Sequence, residues 1–259
     1  MTNPVRLAGI TVLVTRPIHQ ATALAEGIRA AGGSPYLFPV LEITDIPDPA
    51  HLIELVHRLD QFNWAVFVSP NAVEKAMHLI NEHGKFPVDL RVAAVGKGSA
   101  GTLKQHGIAD VLIPNDQFDS ESLLKSAELQ NMTNQRVVIF RGRGGRQLLG
   151  ETLSQRGATV EYAECYLRQK PSDVDTTTLM QAWSTGKIDA VIITSTEGLH
   201  NLFDIIGTVG QQLLKNTPVF TVHARIAQIG KELGLRKIVQ TTSDGDKGLL
   251  ESLKMYFDS

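Results

Sequence analysis

Short apolar runs alternate along the whole chain with segments of helical periodicity. The runs are continuous and rich in β-branched residues, which is typical of parallel strands buried on both faces. They predict strands over 10–14, 35–38, 64–68, 92–95, 111–113, 137–140, 160–163, 190–193, 219–222 and 237–239. Between them, apolar residues recur at intervals of three and four, as at Val73, Ala76, Met77 and Ile80. The alternation of strand and helix favours βαβ units and therefore parallel sheets.

The second half of the chain resembles the first. Residues 12–16 resemble 137–141 at a shift of 125, and residues 64–69 resemble 190–195 at a shift of 126. A repeat of this length indicates duplicated domains and not a solenoid. Each copy holds enough strands for a five-stranded parallel sheet with helices on both faces. We therefore predict an α/β protein of two flavodoxin-like, doubly wound parallel-sheet domains with strand order 2-1-3-4-5.

The spacing of the repeat leaves two domain arrangements open. Each copy consists of a two-strand unit followed by a three-strand unit. Joining neighbouring units gives domains 1–130 and 131–259, whereas joining the first unit with the last places one domain inside the other. A proline cluster within 39–49 and the lone Pro171 follow the two-strand units, and prolines favour extended connectors. If both connectors cross between domains, the nested arrangement holds.

Composition narrows the class of protein. The 259 residues are 42% hydrophobic and 20% charged, with a net charge of −2, which disfavours a nucleic-acid or membrane-surface protein. The single cysteine, Cys165, excludes a disulfide framework and a cysteine-rich metal site, and it favours a reducing compartment. No apolar run approaches the ~18 residues of a membrane span, and residues 1–9 lack the apolar core of a signal peptide. We expect a cytoplasmic monomer without membrane or nucleic-acid partners.

A glycine-rich stretch, residues 96–101, fits the pattern G-x-G-x-x-G between a predicted strand and a helix. Backbone N–H groups at a helix N-terminus attract anions, so one interpretation is a dinucleotide site. The corresponding turn of the second copy, residues 222–226, has no glycine, and the motif lies in the fourth strand–helix turn of the chain. A structural tight turn or a site for another anion is therefore favoured.

Basic residues concentrate in one predicted loop. Arg141, Arg143 and Arg146 lie among glycines between a strand and a helix, and Arg16 occupies the equivalent place in the first copy. A guanidinium group can hold a carboxylate or phosphate through two hydrogen bonds, so the loop predicts a polyanion site. The alternative is a solvated surface loop.

Hydroxyl residues follow two equivalent strands. Ser69 ends one predicted strand, and Thr194 and Ser195 end its counterpart. Such residues commonly cap the next helix, but they also face the crevice where open α/β sheets bind ligands. Tyr166 follows a further strand, either as a packing aromatic or as a phenol facing a cleft. The eight histidines show no metal-ligand spacing, so no metal site is predicted.

Five segments of the chain, in this order, are similar to uroporphyrinogen-III synthases. They are residues 12–17, 38–43, 68–73, 94–96 and 160–166, and the similarity extends over about residues 8–256. The resemblance implies the nested arrangement with a two-stranded connector. The implied segments are 1–38 plus 172–259 for the first domain, 52–162 for the second, and 39–51 and 163–171 for the connectors.

The same resemblance implies a lyase reaction. The linear tetrapyrrole hydroxymethylbilane would be cyclised to uroporphyrinogen III, with inversion of ring D and loss of water and without a metal or organic cofactor. A catalytically silent ligand-binding or regulatory relative of the same fold is the alternative. The tyrosine of the family matches Tyr166, which would donate a proton or orient the leaving group.

The substrate is a polycarboxylate, so binding requires concentrated positive charge on a chain of negative net charge. The expected cations are Arg16, Lys97, Arg141, Arg143, Arg146 and Arg225. The resemblance adds hydroxyl groups that match positions lining the family's cleft, namely Ser69, Ser99, Thr194 and Ser195. The segment 223–225 departs from the glycine and threonine of many relatives, so a charge on Arg225 would replace backbone contacts there.

Overall fold

The computed structural model describes residues 7–115, 119–241, 243 and 245–258, apart from the side chain of His19. Its contacts divide the chain into two compact units. Unit 1 consists of Met1–Glu42 and Gln169–Ser259, and unit 2 is Ile43–Arg168. In sequence, unit 2 therefore lies within unit 1.

Strands and helices alternate through both units. In chain order they are β1 Thr11–Val14, α1 Ile18–Ala30, β2 Ser34–Leu37, β3 Glu42–Thr44, α2 Ala50–His57, β4 Trp64–Phe67, α3 Pro70–His83, β5 Arg91–Ala94, α4 Lys97–Gln105, α5 Ser120–Leu123, β6 Arg136–Gly142, α6 Leu148–Gln155, β7 Thr159–Gln169, α7 Thr176–Ser184, β8 Ala190–Ile192, α8 Thr196–Asn216, β9 Val219–Thr221, α9 Ala224–Glu232, β10 Ile238–Gln240 and α10 Gly245–Phe257. Single-turn 3₁₀ helices occupy Leu59–Gln61 and Ala127–Leu129. No helix in the described ranges is long and apolar enough to cross a membrane.

The sheet of unit 1 is parallel, with the order β10-β9-β8-β1-β2. Counted along unit 1 alone, this is the order 2-1-3-4-5 of a flavodoxin-like sheet, which confirms the predicted fold class. Successive side chains of a strand point to opposite faces. Leu13 accordingly packs in the cluster formed with α7, α8 and α9, whereas Val12 and Val14 pack against α1 and α10. Helices thus cover both faces.

The sheet of unit 2 has the order β3-β7-β6-β4-β5, and the pairs β7/β6, β6/β4 and β4/β5 are parallel. Counted along unit 2 this is the order 1-5-4-2-3, so the strand order 2-1-3-4-5 predicted for both domains is wrong here, because β3 takes the sheet edge beside β7. Both faces are covered here as well. Phe67 and Phe140 stack at 4.6 Å between ring centroids within the cluster that includes α2, α3 and α4. Val66 and Ile139, on the opposite face, pack with α5 and α6.

Three details of unit 2 differ from the predicted elements. The predicted strand 111–113 is reduced to a single bridge between Ala93 and Leu112. Strand β3 was not predicted, because only one of its three residues, Ile43, is apolar. Strand β7 continues well beyond the predicted 160–163, as far as Gln169. In each case, pairing with a distant strand decides the structure, and the local pattern does not report it.

Candidate functional site

Tyr166 lies at a bulge between β6 and β7. Arg141 pairs with Glu164, but Gly142 pairs with Tyr166, so β7 carries one extra residue there. Tyr166 consequently packs in the same cluster as Cys165, although strict alternation would place neighbours on opposite faces. A Cβ atom at Gly142 would lie 2.7 Å from Cε2 of Tyr166. The absence of a side chain at Gly142 therefore allows the ring to lie against the backbone of β6.

The phenol oxygen of Tyr166 has two polar partners. Ser69 Oγ lies 3.0 Å from it, and Nη2 of Arg168 donates a hydrogen bond to it at 3.2 Å. Ser69 also caps α3, since its Oγ accepts the N–H of Ala72 at 3.1 Å. The cap fixes Ser69 at the carboxyl end of β4. A hydroxyl pair with a neighbouring cation is thereby built from the ends of two strands of one sheet.

Cys165, beside Tyr166, is not a nucleophile in this arrangement. Burial raises the pKa of its thiol to about 12, so the thiolate form is suppressed near neutral pH.

The predicted polyanion loop contains two kinds of arginine. Arg141 belongs to β6 and is only 6% exposed. Its guanidinium donates to the carbonyls of Gly142 at 3.3 Å and Arg146 at 3.2 Å, and its Cζ lies 4.8 Å from the ring centroid of Tyr162. The expectation of three guanidiniums on one open loop is thus corrected. Because backbone carbonyls at both ends of the loop accept hydrogen bonds from its guanidinium, the Arg141 side chain points inward.

Arg143 and Arg146 are exposed, as expected, and each is paired with a carboxylate. Arg143 Nε donates to Glu164 at 3.0 Å. Both terminal nitrogens of Arg146 donate hydrogen bonds to the Glu121 carboxylate, and this contact lowers the pKa of the Glu121 carboxyl below its ordinary value. Both cations lie on the loop that follows the carboxyl end of β6.

In unit 1, the structure brings Arg16 and Thr194 together. They follow the adjacent strands β1 and β8, and Arg16 Nε donates to Thr194 Oγ1 at 3.2 Å. The guanidinium also forms an ion pair with Asp246 at the start of α10, and the Arg16 side chain is only 15% exposed. Ser195 caps α8 by accepting the N–H of Gly198 at 2.9 Å.

The remaining predicted binding residues lie in first helical turns. Lys97 is exposed at the start of α4, and Ser99 in the same turn is 3% exposed. A Cβ atom at Gly98 would lie 3.3 Å from Cγ of Pro70, so this glycine allows the starts of α3 and α4 to approach. Gly98 therefore has a packing role. Arg225 is exposed in the first turn of α9.

Two polar residues of these sites were missed by sequence reasoning. Arg168 lies two residues after Tyr166, a spacing that places two side chains on one face of a strand, and the length of β7 was the missing information. Asp246 is 230 residues from Arg16, so no local signal connects them. Within the described ranges, no group of three or more His, Cys, Asp or Glu side chains could hold a metal ion.

Comparison with known proteins gives a consistent result. Residues 22–251 match the family model described as uroporphyrinogen-III synthase HemD. The uroporphyrinogen-III synthase of Salmonella typhimurium is 31% identical, and that of Escherichia coli 30%, each over 95% of this chain and 100% of the relative. A crystal structure of a mutant uroporphyrinogen III synthase from Thermus thermophilus superposes with a TM-score of 0.60 at 19% identity, covering 95% of this chain and 97% of that one. At that identity the superposition establishes the fold.

Proposed function

This chain belongs to the uroporphyrinogen-III synthase family, and from that membership we propose how its residues perform the family's reaction. The protein is a lyase that cyclises hydroxymethylbilane to uroporphyrinogen III, with inversion of ring D and loss of water. The observation that carries this conclusion is the family match over residues 22–251.

Loss of water from the substrate requires a proton on the departing hydroxyl. Tyr166 supplies it in this proposal, because a phenol can donate to an oxygen leaving group. Its oxygen is held at 3.0 Å from Ser69 Oγ at the carboxyl end of β4, so the proton donor has a fixed position. The Tyr166 side chain is fully buried, so the proposal requires that substrate binding opens access to the phenol oxygen before the proton is transferred. The carboxyl ends of parallel strands are where open α/β sheets bind ligands, which supports this placement.

Ring closure itself is a matter of positioning. The substrate closes without an enzyme to the type I isomer, so the enzyme must hold the chain in the conformation in which the inverted ring closes. Its carboxylates require cations, for which we propose exposed Lys97, Arg143, Arg146 and Arg225, together with Arg16 and the hydroxyls of Ser69, Ser99, Thr194 and Ser195. Arg141 is a less favourable ligand because it is turned inward.

The two loop arginines that already have carboxylate partners can still serve the substrate. Arg143 and Arg146 make exposed ion pairs with Glu164 and Glu121. Exposed pairs of this kind contribute only about 0–1 kcal/mol, so exchanging a protein carboxylate for one of the substrate costs little.

The product isomer tests the function. Purified protein is incubated with hydroxymethylbilane, and the products are oxidised to porphyrins and separated by chromatography. The type III isomer is expected in excess of the type I isomer that forms in a protein-free control. Folded protein that yields only type I would overturn the proposal and favour the catalytically silent relative.

A further inference from the structure

Four of the arginines expected to bind substrate are already occupied within their own unit. Their partners are Asp246 for Arg16, the carbonyls of Gly142 and Arg146 for Arg141, Glu164 for Arg143, and Glu121 for Arg146. Arg168 differs from all four. Among the residues that the structure describes, its polar contact is the Tyr166 phenol oxygen, and no carboxylate pairs with it.

Arg168 is also accessible to a bound substrate. It is exposed near the end of β7, whereas Tyr166 is fully buried. One N–H of its guanidinium is engaged at the phenol, and a guanidinium carries five N–H donors in a plane. The other donors can receive a carboxylate through two parallel hydrogen bonds. The guanidinium therefore connects the exposed surface to a buried hydroxyl.

We propose that Arg168 is a positioning residue for the reaction, which binds a carboxylate of the substrate and directs the proton of Tyr166. The inference rests on the proposed function. It assigns Arg168 two separable tasks: the charge holds the substrate, and the hydrogen bond orients the phenol.

The direction of the proton follows from donor and acceptor counting. A guanidinium has no acceptor, so Tyr166 cannot donate to Arg168. The phenol proton can therefore point only to Ser69 Oγ or to a bound ligand. Ser69 Oγ already accepts the N–H of Ala72. When the Ser69 hydroxyl rotates to donate to Tyr166, the phenol proton is free for the leaving group.

Water is then lost from the hydroxymethyl group of the substrate. The C–O bond of the hydroxymethyl group breaks, and its electron pair leaves with the oxygen. That oxygen takes the phenol proton and departs as water, while the pyrrole nitrogen supplies electrons to the carbon. The charge that develops on the Tyr166 oxygen is stabilised by the N–H of Arg168 and the O–H of Ser69.

Substitution at Arg168 separates the two tasks. Arg168→Met keeps an apolar stem but removes charge and donor, so kcat should fall about 10-fold and KM should rise. Arg168→Gln keeps an N–H donor without charge, so KM should rise to a similar extent while kcat stays closer to that of the wild type. Arg29→Met, at the exposed end of α1, is the control and should leave both constants unchanged.

A double variant tests whether Arg168 acts through the phenol. In a Tyr166→Phe background, Arg168→Met should raise KM as before but should lower kcat no further. A kcat loss of undiminished size in that background would overturn the proposal, as would wild-type constants in Arg168→Met. If Arg168→Met lowers the melting temperature, Arg168→Gln provides the test: a raised KM with a kcat close to that of the wild type supports the proposal, and any other result overturns it. Wild-type protein without type III activity would instead refute the function itself.

Discussion

At the scale of single residues, the structure explains why Tyr166 was found and Arg168 was not. A tyrosine in a resembling segment is visible in sequence, whereas the partner of its hydroxyl depends on how far a strand continues. Arg141, Arg143 and Arg146 look equivalent in sequence, yet only Arg141 is captured by loop carbonyls. Which arginine turns inward depends on loop geometry that composition does not encode.

Gly142 offers a direct test of the close contact at Tyr166. Gly142→Ala places a Cβ about 2.7 Å from the ring, so the ring or the strand must shift. We expect a loss of about 1–3 kcal/mol in the free energy of unfolding, together with a reduced kcat. Gly101→Ala, in α4 with open space around it, is the control and should be neutral or stabilising by about 0.5–1 kcal/mol. Urea denaturation compares the two, and equal stabilities would refute the contact.

The exposed loop arginines should act through charge. Replacing Arg143 and Arg146 together by alanine is expected to raise KM about 3- to 10-fold, with a smaller change in kcat. The increase should be larger at low ionic strength, because salt screens exposed charges. The matched control removes Arg29 and Arg236, which precede β2 and β10 at the amino ends of their strands. If removal of the control pair raises KM as much as removal of Arg143 and Arg146, the loop arginines attract the substrate over a distance and do not contact it.

At the scale of elements, the strand and helix alternation could be predicted because parallel strands are apolar throughout. The misplaced elements, β3, the end of β7 and the segment around Leu112, all lie where pairing is non-local. Ion pairs between elements could not be predicted from the sequence either. Glu161 on β7 accepts hydrogen bonds from Arg58, at the end of α2, and from Arg136, at the start of β6.

This three-residue network should contribute to stability at neutral pH. The hydrogen bonds from Arg58 are the main cause that lowers the pKa of Glu161 below its ordinary value of 4.5. The ionised form therefore stabilises the fold above that value, and the contribution is lost as the pH falls through the lowered pKa. Glu161→Gln should cost about 1–2 kcal/mol at pH 7, and the difference from the wild type should shrink on acidification.

Thermal or urea unfolding at several pH values measures that difference. Glu128→Gln, at an exposed position, is the control and should leave stability unchanged throughout. A Glu161→Gln deficit that grows as the pH falls would contradict the assigned role of the network.

At the scale of the whole molecule, the internal repeat predicted two similar sheets, and both are present. The repeat could not choose between adjacent and nested domains, because spacing is the same in either case. The chain divides after Glu42 and after Arg168, within the segments 39–51 and 163–171 that the resemblance assigned to connectors. A cytosolic location and a monomeric state remain predictions from composition.

The role of Tyr166 is tested by the product that the Tyr166→Phe variant forms. Wild-type protein should convert hydroxymethylbilane to the type III isomer. The variant should show a kcat lower by about 10-fold or more with a smaller change in KM, and its product should contain more type I, because uncatalysed closure competes. Tyr162→Phe, on the same strand, should behave as the wild type. A Tyr166→Phe variant with unchanged kcat and an unchanged isomer ratio would show that this phenol takes no part in the reaction.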